Sequence, residues 1–145
     1  MDILRTDIEK ALDELISNEE GMRFQALAVI LAKQKWPDLI ASGRHKDGGL
    51  DAYAPASVAE DKRAKGLASS ITATITKIKG DATNVKKNFP DGEILIFATP
   101  QKVINPTIQG WATEIRTEFG YELIVMARED IITSLMIPSN TPLCR

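Results

Sequence analysis

One cysteine and one histidine occur among the 145 residues of this chain, and those two scarcities remove whole classes of chemistry. Cys144 has no second thiol, so an internal disulfide is excluded. His45 alone cannot build a zinc centre, and it forms no nucleophile–base pattern with Cys144. Aromatic residues make up only 6%; Trp36, Tyr53 and Trp111 read as core or rim residues, not as a base-stacking platform. No apolar run approaches the roughly 20 residues that cross a bilayer. The polar, acidic start, from Met1 to Asp7, lacks the basic start and apolar stretch of a secretory signal. The expectation is a cytoplasmic protein with no membrane partner. Gly48-Gly49 has neither Walker spacing nor a GxGxxG context, which disfavours a nucleotide-cradling loop. A basic excess is missing too. The net charge is -2 and the pI near 5.5, the wrong balance for an ordinary nucleic-acid binder.

What is present fits one globular domain. Apolar residues at 43%, charged residues at 26% and a mean hydropathy of -0.13 argue against disorder. The domain is expected over residues 1–136, with an aperiodic, proline-containing tail over 137–145 that reads as a linker to further sequence. The charges are unevenly placed. Between Met1 and Glu20 seven acids face Arg5 and Lys10, whereas between Arg44 and Lys87 nine bases face five acids. A chain of average charge zero or below can therefore still present a basic region.

Apolar spacing predicts an amphipathic helix over Ile3–Ser17, with Leu4, Ile8, Ala11, Leu12, Leu15 and Ile16 on one face. Met22–Lys35 reads as a helix apolar nearly all round, suited to cover on most of its surface. Strands follow at Leu39–Ala41, Leu50–Ala54 and Gly66–Ala73, and the polar stretch from Ala56 to Lys65 reads as a hairpin connection. Thr74 or Thr76 can cap a helix running through Ile78, Ala82 and Val85 to about Lys87. Glu93–Ala98 is a continuous apolar strand, the pattern of burial on both faces. Pro106–Phe119 is helical, Tyr121–Ala127 a buried strand, and Arg128–Met136 a final helix. Three strands that can pair by hairpins, then two reached through helices, predict an α/β fold with a mixed central sheet flanked by helices.

Within this order, Phe24-Gln25-Ala26-Leu27 lies on a helix, and Asp47-Gly48-Gly49-Leu50-Asp51 forms a glycine-rich turn entering a strand. Together these residues resemble the Mrr-like branch of the PD-(D/E)xK nuclease superfamily over roughly Gly21 to Thr99. The resemblance implies a restriction-endonuclease-like core and a metal-dependent endonuclease acting on double-stranded DNA. In such a site a hard divalent cation, Mg²⁺ or Mn²⁺, takes oxygen ligands, acidifies a water and offsets charge on the phosphate, while a lysine supports the reacting oxygens.

Carried onto this sequence, the resemblance makes Asp51 the metal ligand. The third strand should add an acid or Gln, a spacer and a Lys, yet it reads Leu67-Ala68-Ser69-Ser70-Ile71-Thr72. Lys77, in the following helix, takes the place of that lysine, with Lys79 second. Ser70 and Thr72 either contribute hydroxyls or pack as small strand residues. Gln25 stands where the family carries a helix Glu, and Glu20 is the nearest acid upstream. Arg44, His45, Lys46 and Lys79 are the expected DNA-phosphate contacts, which position a duplex without reading its sequence. The resemblance also implies an N-terminal effector cassette of a larger bacterial defence protein, working as a homo-oligomer joined to the rest of that protein. Two other readings stay open: a catalytically inactive nuclease fold serving as a DNA-binding or protein-interaction module, and a small α/β regulatory domain.

Overall fold

The computed structural model describes residues 5–41, 51–54, 64–88 and 92–137. Helices Arg5–Ser17 (α1) and Gly21–Lys35 (α2) precede three strands, Ile40–Ala41 (β1), Ala52–Ala54 (β2) and Lys65–Ser69 (β3). Then come helix Ile75–Asn88 (α3), strand Ile94–Ala98 (β4), helix Asn105–Phe119 (α4), strand Glu122–Met126 (β5) and helix Arg128–Leu135 (α5). The strands form one five-stranded sheet in chain order, β1-β2-β3-β4-β5. β1, β2 and β3 pair antiparallel, with Ala52 opposite Leu67. β3, β4 and β5 pair parallel, with Ser69 beside Ala98 and Ala98 beside Met126. The chain is thus an α/β fold with a mixed sheet flanked by helices. No described helix is long and apolar enough to cross a membrane.

Strand periodicity explains the two cores. In β4, Ile94, Ile96 and Ala98 face one way and Leu95 and Phe97 the other. The first set packs with Ile8 and Leu12 of α1, Phe24, Ala28 and Leu31 of α2, and Ile131 and Ile132 of α5. The second packs with Ile78, Ala82 and Val85 of α3 and Ile115 of α4. Both faces of β4 are covered, as its unbroken apolar run predicts. α4 carries Pro106 in its first turn and ends at Gly120 with φ 78°, a left-handed conformation that costs glycine little.

Three expectations change. α2 buries one stripe, and Met22 and Ile30 on its outer side are 71% and 43% exposed; its apolar residues exceed what the sheet can cover. β3 ends at Ser69, short of Ala73. The Ser70 hydroxyl accepts the Thr72 amide at 3.0 Å, a local bond that competes with ladder pairing. β5 is only half-buried at Glu122, Ile124 and Val125, because it lies at the edge of the sheet. α1 is fastened to α5 by crossed ion pairs: Arg5 with Glu129, and Arg128 with Asp13, each at 2.5 Å.

Candidate functional site

The carboxyl ends of β3, β4 and β5 point the same way, and the loops leading to α3, α4 and α5 gather beyond them. Open α/β sheets bind ligands at such ends. Hydrogen bonds interlace these loops. The Ser70 amide donates to Ala98 O and the Thr99 amide to Met126 O, both at 3.0 Å. Gln101 donates from Nε2 to Ile71 O at 3.0 Å, and Arg128 Nε donates to Pro100 O at 2.8 Å. α3 starts here, its first turn capped by Thr74, whose Oγ1 accepts the Lys77 amide at 3.2 Å. β2 runs opposite to β3, so its beginning reaches the same end of the sheet.

That beginning is Asp51, which is 1% exposed. Its amide donates to Leu67 O at 2.7 Å, and the Ser69 hydroxyl donates to its Oδ2 at 2.5 Å. Strict alternation would set Asp51 beside Ala68 and away from Ser69, since Ala52 pairs with Leu67. The chain bends at Asp51, one residue ahead of the strand, and the two side chains meet at the end of the β2–β3 ladder. Burying a carboxylate is costly. A short hydroxyl–carboxylate bond is among the stronger offsets.

The remaining candidates are distributed around this point. Lys77 lies in the first turn of α3, and its ammonium meets Asp81 at 3.0 Å, one turn farther from the strand ends. Lys79 bridges to α4, 2.8 Å from Glu118 and 2.9 Å from Glu114. These bonds, Glu118 first, hold its ammonium above the ordinary lysine range. Glu20 precedes α2 and pairs with Arg23 at 3.1 Å. Gln25 is half-buried on α2 beside the fully buried Phe24. Arg44, His45, Lys46 and the turn glycines Gly48 and Gly49 lie outside the described residues.

Two polar features escape a reading of the sequence. The hydroxyl that meets Asp51 belongs to Ser69, not to its neighbours Ser70 and Thr72. A small hydroxyl residue at the strand's end is the signal the sequence offers. Lys65, at the start of β3, is buried against Asp38 at 3.5 Å. It is the third strand's own lysine, but four residues of rise, about 13 Å, separate it from Ser69. The pair therefore fastens the opposite end of the strand.

Asp51 and Ser69 offer hard oxygen donors, one charged and one neutral. A Mg²⁺-like ion is commonly held by one or two carboxylates together with waters and substrate phosphates; Asp51 supplies one carboxylate here, 1% exposed. Among the described residues no three of His, Cys, Asp and Glu gather as a metal-binding group. The sequence matches no protein-family model and no curated protein.

Proposed function

We propose that this chain is a nuclease domain with a restriction-endonuclease-like core, cleaving phosphodiester bonds of double-stranded DNA with Mg²⁺ or Mn²⁺. The observation that carries the reading is the buried Asp51 carboxylate, set where β2 begins and β3 ends, at the carboxyl side of the parallel strands. The element order adds support: a helix, three antiparallel strands, a helix and a fourth strand follow one another here, the order that the resemblance implies. Asp51 and Ser69 would hold the cation, whose contribution is an acidified water and positive charge against the phosphate. Lys77 would stabilise the reacting oxygens after leaving Asp81. Arg44, His45, Lys46 and Lys79 would seat the duplex by its phosphates. The resemblance further supports an effector role in a larger antiviral defence protein, activated when oligomerisation brings two such domains to one duplex.

A second reading has its own observation. The Lys77 ammonium is held by Asp81 and the third strand presents Ser69 in place of an acid, as in a catalytically inactive module that binds DNA or protein. Supercoiled plasmid separates the two. The artificially dimerised domain is incubated with Mg²⁺ or Mn²⁺ beside Asp51→Ala and Lys77→Ala. Nicking lost in Asp51→Ala supports the nuclease, and nicking that survives it overturns the mechanism. Binding with a steep salt dependence and no nicking favours the inactive module.

A further inference from the structure

We infer that Gln101 is a positioning residue: its side-chain amide fixes the connection between β3 and α3, and through that connection the place of Lys77. The inference rests on the nuclease reading above, in which Lys77 stabilises the reacting oxygens. Gln101 is anchored before its side chain reaches out. Its backbone amide donates to Oγ1 of the fully buried Thr99 at 3.2 Å, and its carbonyl accepts the Arg128 amide at 3.1 Å. The Arg128 guanidinium is in turn bonded to Pro100 O and to Asp13. From this fixed backbone the half-buried Gln101 donates through Nε2 to Ile71 O at 3.0 Å. Ile71 lies inside residues 70–74, the stretch that leaves β3 at Ser69 and enters α3 at Ile75. The start of that stretch is held to the sheet, where the Ser70 amide donates to Ala98 O, and its end to the helix, where Thr74 Oγ1 accepts the Lys77 amide. The Gln101 bond pins the middle. Lys77 follows the helix start that Thr74 caps, so a slack connection moves the lysine without removing it. Misplacing a charge leaves duplex binding in place and weakens what that charge does for the reacting oxygens.

The test is plasmid nicking by the full chain, artificially dimerised, for wild type, Gln101→Met, Gln101→Asn, Lys77→Ala and the double variant Gln101→Met with Lys77→Ala. Hydrogen exchange over residues 70–77 and thermal unfolding are read on each protein. Met keeps the length of the side chain without its donor, and Asn keeps the amide on a shorter arm. Both are expected to lower kcat about tenfold with KM within about twofold of wild type, the mark of an interaction that acts in the transition state. Protection should fall in residues 70–77 while β4 and β5 keep theirs. The double variant should nick no more slowly than Lys77→Ala, because the positioning then has nothing left to position. A folded Gln101→Met that nicks like the wild type, while Lys77→Ala does not, overturns the role of Gln101 and leaves the nuclease reading standing. A double variant slower than Lys77→Ala by the whole factor lost in Gln101→Met overturns action through Lys77. Absence of nicking by the wild type overturns the nuclease reading and this inference with it. Should Gln101→Met fail to fold, Gln101→Asn, alone and with Lys77→Ala, decides between these outcomes.

Discussion

Lys77 donates to Asp81 from one turn away on α3, at 3.0 Å, so the candidate lysine in the first turn of α3 is held by a carboxylate of its own helix. On the nuclease reading, Asp81 competes with the DNA phosphate for Lys77. Lys77→Ala is expected to lower plasmid nicking by about 10²–10³-fold, the usual cost of removing one aimed charge or donor, with little change in thermal stability because the pair is partly exposed. Gel quantification of nicked plasmid against a melting curve reads both. Unchanged nicking would remove Lys77 from the site.

The Lys65–Asp38 pair has side chains only 4% and 12% exposed, so breaking it from one side strands a buried charge. Lys65→Ala is expected to cost about 3–5 kcal/mol, and the double change Lys65→Met with Asp38→Leu to recover most of it. Urea unfolding of the three proteins measures this. Equal loss in the single and double variants would show that the charges do not act as a pair.

Tyr121 is 1% exposed, and its hydroxyl has no hydrogen-bond partner among the described residues. Burial pushes its phenol above the ordinary tyrosine range, and Lys86 lies 5.3 Å from the ring centroid. Tyr121→Phe keeps the ring and the cation contact and removes an unsatisfied polar group, so stability should stay level or rise by about 1 kcal/mol. The raised folded-state pKa gives the wild type a contribution that is intact below the unfolded tyrosine value near pH 10 and is lost as pH rises through the folded one. Alkaline unfolding followed by tyrosinate absorbance should therefore lose its latest-ionising component in the variant.

The crossed pairs between α1 and α5 differ in what else they hold. Arg128 is 14% exposed on its side chain and also donates to Pro100 O, whereas Arg5 is largely exposed. Arg128→Ala should therefore cost more than Arg5→Ala, by about 1–2 kcal/mol in denaturant unfolding. The Arg5 hydrogen bond lowers the Glu129 carboxyl below its usual range. Its contribution is present above the unfolded carboxylate value near 4.3 and disappears as pH falls through the folded one. Hydrogen-exchange protection in α1, taken relative to the intrinsic exchange rate at each pH, should fall on acidification, and less so in Glu129→Gln.

The elements were largely legible in the sequence because their signals are local. Pro106 and Gly120 bracket α4, Thr74 caps α3, and the run Ile94–Ala98 needs two covered faces. The order of hairpins and crossovers left few ways to arrange the sheet. Asp51 stood out through the glycines before it. Its partner did not, since which of Ser69, Ser70 and Thr72 meets it depends on where β3 ends and on the bend at Asp51. The Lys65–Asp38 pair was equally hidden: nothing local marks a strand lysine as buried, and its acid lies across an intervening stretch of chain. The exposed side of α2 shows the limit of composition, which reports how apolar a helix is but not how much cover the fold supplies.

Among the described residues, β2 meets β3 through Ala52–Leu67, Tyr53–Gly66 and Ala54–Lys65, and the Asp51 amide adds a bond to Leu67 O. Proteins open locally at free energies below that of global unfolding, and an antiparallel hairpin can part from the parallel strands beside it in such an opening. Asp51 sits on the seam between β2 and β3. Its carboxylate, sealed from solvent in the closed sheet, is thus uncovered by a local excursion that leaves β3, β4 and β5 intact, and the frequency of that excursion sets how fast any solute can reach it.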